Sequence, residues 1–163
     1  MKLVMFVATL LGAVGSGVIG GLLFAFSSFV MRALSRLPPE QGMRAMQTIN
    51  VVILTPSFLV VFVGTVAVSL LLGAAAFTSA AEAPARPWLV AGSLLYLVGV
   101  IGVTAAFNIP RNDALAPLDP AEPASAAAWA LYVPAWTLWN HVRATAAIAA
   151  SAAFIAAFRA LPR

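Results

Sequence analysis

Four stretches of the chain are apolar with almost no interruption, and the breaks between them hold most of its charge. From Leu3 to Met31 there is no charged residue. At about 1.5 Å per residue, a helix of that length outruns the roughly 30 Å hydrocarbon core of a bilayer. Val51 to Phe77 is the second uncharged run; Pro56 near its start is expected to kink it, because neighbouring helices can satisfy the freed backbone groups. Trp88 to Phe107 is the third, opening on an aromatic interface anchor. Trp129 to Phe158 reads as one long helix, with its crossing part placed at 136–158. The pattern predicts an all-α fold, an integral membrane four-helix bundle in one transmembrane domain over 1–163, with spans at about 3–31, 51–77, 88–107 and 136–158.

The connections differ in character. In the first, Arg32 to Asn50, the run Pro38, Pro39, Glu40 marks a helix start, and Met43, Met46 and Gln47 share one side of a short interfacial helix. The second, Thr78 to Pro87 with Glu82 and Arg86, is a short linker. The third, Asn108 to Ser125, holds four prolines, three acids and one arginine, so it is expected as a loop on the membrane surface or folded into the bundle mouth. Lys2 before an apolar run resembles a signal peptide, but the run continues well past the roughly 7 to 15 residues of such a segment, so it is read as a retained span. Gly12, Ser16 and Gly20 recur at four residues, as do Ala13, Gly17 and Gly21, which lets a neighbouring helix come close. Gly15, Gly17 and Gly20 also match a dinucleotide fingerprint, but no strand precedes them and no acid follows at the right distance.

Composition supports the membrane reading. Of 163 residues 63% are hydrophobic and 9% charged, against about 25% charged in soluble domains. The net charge of +4 comes from scattered single residues with no basic run, so no nucleic-acid partner is expected; the partners are the lipid bilayer and a small hydrophobic or aromatic molecule. No cysteine is present, which excludes disulfides, iron–sulfur clusters and thiol nucleophiles. Ala and Arg in excess over a single Lys point to a GC-rich bacterial genome and hence to a bacterial inner membrane.

With four spans, the first and third connections emerge on one side of the membrane. That pole collects all four asparagines, both glutamines, the only histidine, Asp113 and Arg143. Asn50 and Asn112 are read as helix N-caps and Asn108 as stopping the third helix before Pro110. Trp136, Trp139, Asn140 and Arg143 follow the i, i+3, i+4, i+7 spacing and share one helical face, which should point inward because an amide and a guanidinium are costly in lipid. His141 lies about 100° further round, bordering that stripe beside Thr137 and Thr145. Asp113 is the natural counter-charge for Arg143; with that pair formed, the amides and indoles would ring a small-molecule pocket lidded by the third connection.

Three segments carry a resemblance: FNIPRNDAL (Phe107 to Leu115), WTLWNHVR (Trp136 to Arg143) and the stretch Gly21 to Asn50. They resemble a family of small membrane proteins, a domain of unknown function in most bacterial members, that includes the anthrone oxygenases. The resemblance implies an oxidoreductase that converts the activated methylene of a phenolic, polyketide anthrone to a quinone with molecular oxygen and no cofactor. His141, the one side chain of a type that titrates near neutrality, is then the first candidate base and Asp113 the second. Arg143, Asn108 and Asn140 would stabilise the oxyanion, Asn50 and Asn112 would line the site, and Trp136 and Trp139 would wall a flat substrate.

Two other classes stay open. The same pocket could serve a carrier or binding protein for a small hydrophobic compound, or the polar groups could merely stitch a structural protein together. A proton-coupled exporter is disfavoured by the lack of carboxylates in the first two spans. No metal site is expected, although ligation by His141 with Asp113 stays formally open. Lys2, Arg86, Arg159 and Arg163 balance Arg32, Arg36, Arg44 and Arg111, so the charge rule does not orient the chain, and glycine-rich spans leave a homo-oligomer open.

Overall fold

The computed structural model describes residues 2–79, 81 and 83–161; Met1, Glu82 and Arg163 lie outside the described residues. Helix α1 (Lys2–Leu34), α3 (Pro56–Ala75), α4 (Arg86–Leu115) and α5 (Pro123–Ala160) are each long and apolar enough to cross a membrane, and α2 (Pro39–Val52) is a shorter fifth helix. The chain is an integral membrane protein built as a helical bundle.

α5 is the backbone of the assembly: α1 runs along it, α4 packs on it, and α3 lies against α1 and α4. Small residues set the α1–α5 spacing. A Cβ on Gly20 would stand 3.2 Å from the backbone nitrogen of Ile148, and one on Gly17 3.2 Å from the Ser151 hydroxyl, which donates 2.8 Å to the Ala13 carbonyl. Gly21, of the same stripe, faces open space. The interior is layered along the bundle. Phe154, Leu72 and Leu89 fill one end, Ile19, Tyr96 and Ala147 the middle, and Met31, Met43, Met46, Trp129 and Trp136 the polar end.

Three expectations about element boundaries are corrected. Pro56 does not kink a span; it opens α3, with Thr55 as N-cap accepting 3.3 Å from the Phe58 amide, because its missing N–H is harmless in a first helical turn. α4 does not stop at Asn108 but runs on to Leu115 through Pro110. The turn before the proline, Thr104–Asn108, is widened to π geometry, and the Arg111 guanidinium donates 2.6 Å to the Phe107 carbonyl in the turn that Pro110 interrupts. The third connection therefore shrinks to residues 116–122, since α5 already begins at Pro123.

α2 forms as its sequence predicts, with Met43 and Met46 each 1% exposed. Gln47 donates to the carbonyls of Leu115 (3.0 Å) and Leu118 (2.9 Å), tying α2 to the end of α4. Gln47→Leu is expected to cost about 1 kcal/mol for this part-buried pair of bonds. Thermal unfolding in detergent should show it as a midpoint lower by roughly 2–4 °C.

Candidate functional site

Beyond Gly102 the packing of α3 on α4 gives out, and the space left is a cavity of about 480 Å³. That volume lies in the roughly 300–1,000 Å³ range of small-molecule sites. Its apolar walls include Leu23 and Phe26 of α1, Met46 of α2, and Phe58 and Phe62 of α3. Polar groups come from Asn50, Thr104, Asn112, Asp113 and Arg143, with Trp136 between them. Val51, Leu54, Leu59 and Ile109, also in the walls, are at the same time exposed apolar surface. In a bilayer such surface meets lipid, so the cavity borders the membrane interior.

Arg143 is the electrostatic centre. It is 7% exposed; Nη2 donates 2.7 Å to the Asn140 Oδ1, Nη1 3.2 Å to the Thr104 hydroxyl, and the guanidinium stands 5.3 Å from the Trp136 ring centroid. Asn140, fully buried, is fixed in turn by α1: its Nδ2 donates 2.7 Å to both the Leu23 carbonyl and the Ser27 hydroxyl. The widened turn of α1 at Phe26–Val30 lies just there. The expected Asp113–Arg143 ion pair does not form. Among the described residues the ion pair present is Arg44–Glu40, on the exposed side of α2, whereas Asp113 is an exposed residue of the same cavity wall. Because residues 108–115 are helix rather than loop, Asp113 is held on α4 and is not free to fold over the guanidinium.

The three remaining asparagines neither cap nor stop a helix, which corrects that reading. Asn112 lies within α4, where its Oδ1 accepts from the Tyr132 hydroxyl and the Trp136 Nε1, both at 2.9 Å. Asn50 lies in the last turn of α2, beside the Tyr132 hydroxyl and in the cavity wall. Asn108 is 1% exposed, donates 3.2 Å to the Trp136 carbonyl across to α5, and its Oδ1 has no partner among the described residues. Tyr132, Thr104 and Ser27, absent from the sequence expectation, are the groups that complete the network; each is one of several hydroxyls in its span, so the sequence did not single it out.

The inward stripe on α5 is only partly in the cavity. Trp136, Asn140 and Arg143 are buried, while Trp139 is half-buried and stacks on Phe107 with centroids 3.4 Å apart and planes at 6°, away from the cavity wall. His141 is exposed on the outer face of α5 and does not line the cavity. Thus the structure brings Asn50, Asn112, Asp113, Trp136 and Arg143 together, places Asn108 and Asn140 behind them, and leaves His141 and Trp139 outside. Among the described residues no three His, Cys, Asp or Glu side chains converge as metal ligands would. A second pocket of about 310 Å³, over Leu131, Tyr132 and Arg111, has an almost wholly apolar lining.

No curated protein and no solved structure matches the chain. The anthrone oxygenase family model matches residues 57–153, more than half of the sequence, from the start of α3 to the last third of α5, and these residues include Asp113, Trp136 and Arg143; the chain belongs to the anthrone oxygenase family.

Proposed function

We propose that the protein is a cofactor-independent oxygenase that takes a flat, phenolic, anthrone-like compound from the bilayer into the cavity and oxidises its activated ring methylene to a carbonyl. The observation that carries this reading is the cavity itself: an apolar chamber open towards lipid whose one polar wall sets a carboxylate, Asp113, and a buried guanidinium, Arg143, around the same space. Family membership supplies the reaction class.

Asp113 takes one methylene proton, and the electron pair left on carbon spreads into the ring as an enolate whose oxygen faces Arg143, with Asn50 and Asn112 beside it. The enolate delivers its electrons to molecular oxygen, a carbon–oxygen bond forms at the former methylene, and protonation gives a hydroperoxide. Loss of the second methylene proton with cleavage of the O–O bond releases water and leaves the carbonyl. One oxygen molecule is consumed and one water formed per substrate, with no external reductant. Asn140 and Thr104 act by holding the guanidinium in place.

Oxygen uptake by the purified protein with emodin anthrone tests this. The expected result is one oxygen consumed per quinone formed, at a rate well above a detergent blank. His141→Ala should stay within about twofold of wild type, since the residue is exposed and does not line the cavity. Uptake equal to the blank over a panel of anthrones would replace the enzyme by a protein that binds such compounds without chemistry, and a large loss in His141→Ala would return the base to α5.

A further inference from the structure

Arg143 lacks what a buried arginine ordinarily has. A guanidinium carries five N–H donors and stays charged in proteins. Two are used, both on neutral oxygens, Asn140 Oδ1 and Thr104 Oγ1, and the buried Nε has no partner among the described residues. No carboxylate meets it: Asp113, the acid sharing its cavity, is exposed and makes no ion pair with it among the described residues. A cation held inside a membrane bundle costs several kcal/mol unless it is paired or faces a hydrated or ligand-filled space. Arg143 faces the cavity, and the surrounding neutral network fixes its position without neutralising it.

We propose that the missing counter-ion is the ligand: the cavity is a binding site for a lipophilic monoanion, a phenolate, enolate or carboxylate on an apolar body. The anionic oxygen sits on the free donors of Arg143, and the body lies against Phe26, Phe58 and Phe62. Phe58 and Phe62, which line the same chamber as Arg143, stack with centroids 5.2 Å apart. This selectivity rests on reading the cavity as the ligand site and is independent of any oxygen chemistry. It makes Arg143 the residue that sets the charge of the ligand, and it lets Asp113, once it has taken a proton and become neutral, leave the anion to Arg143 alone.

The test compares two probes of one shape, anthracene-2-carboxylate and anthracene-2-methanol, binding to the protein in a neutral detergent, read by energy transfer from tryptophan to the anthracene. The carboxylate should bind about tenfold more tightly than the alcohol, Arg143→Gln should remove that difference, and Arg143→Lys should keep part of it. Equal affinities in wild type, or a preference that survives Arg143→Gln, overturn the proposal. The wild-type comparison needs no variant, so it decides even if Arg143→Gln does not fold; Phe58→Ala should then weaken both probes alike. Repeating the titration in nanodiscs separates the two sources of such an anion. Displacement of the carboxylate by phosphatidylglycerol, but not by phosphatidylcholine, assigns the site to an anionic lipid headgroup, whereas equal binding in both assigns it to a free aromatic anion, and either supports an anion site. A preference for the carboxylate without oxygen uptake would sink the oxygenase reading and keep the anion site, while uptake without the preference would do the reverse.

Discussion

Replacing Asp113 by Asn should lower anthrone-dependent oxygen uptake by about 10²–10⁴-fold, the usual contribution of a positioned general base, while leaving the fold intact. Asn keeps the shape and removes the proton acceptor. Nothing in the bundle leans on the carboxylate: it is exposed, and among the described residues it takes part in no ion pair. The loss should therefore fall on kcat, with binding of anthracene-2-carboxylate unchanged or somewhat tighter, because a neighbouring negative charge has been removed. An Asp113→Asn variant that consumes oxygen at the wild-type rate would mean that the substrate loses its proton without this side chain, and the proposed division of labour between Asp113 and Arg143 would fail.

The fold was largely legible in the sequence because the membrane imposes it. A chain that is 63% hydrophobic and broken at three places has few alternatives to a helical bundle, and the inward stripe Trp136, Asn140, Arg143 followed from the cost of those groups in lipid. Boundaries were misread where proline was taken as a stop. Pro110 stays inside α4, following a widened turn whose Phe107 carbonyl accepts from the Arg111 side chain, and no local rule announces such an accommodation.

The segments that carry the polar groups were legible, but the face each group occupies was not, for one recurring reason. A residue's neighbour on a helix points about 100° away, so Asn140 is fully buried while His141 faces outward. A titratable type in the right segment is thus no guide to which face it occupies. The Asp113–Arg143 pairing failed for a related reason: charge complementarity was weighed without the helix that holds Asp113 in place on α4. Of the partners that hold Arg143, Asn140 stood on the predicted stripe, whereas Thr104 from α4 and Ser27 from α1, which backs Asn140, belong to residue classes inconspicuous in a hydropathy reading. The apolar part of the site was invisible in a different sense. Phe26, Phe58 and Phe62 look like any other span residues until the packing of α3 on α4 ends and exposes them to a chamber.

The second large effect is on stability and lies at the other end of the bundle. Phe154 is fully buried where α1, α4 and α5 meet. Its ring stands in notches left by two glycines: a Cβ on Gly12 would come within 3.2 Å of it and a Cβ on Gly92 within 2.7 Å. Phe154→Ala should destabilise the protein by about 2–3 kcal/mol, less than the 3–5 kcal/mol typical of soluble cores, because helices separated in lipid still bury their apolar side chains and only the packing and cavity contributions are lost. Detergent unfolding followed by circular dichroism would show it as a midpoint lower by roughly 4–12 °C. Gly92→Val approaches the same contact from the opposite side by overfilling it, at about 1–3 kcal/mol. Combining Gly92→Val with Phe154→Ala should recover part of the loss, since the added methyls enter the space the ring vacates; a double variant no more stable than the sum of the singles predicts would show that α4 and α5 do not meet through this ring.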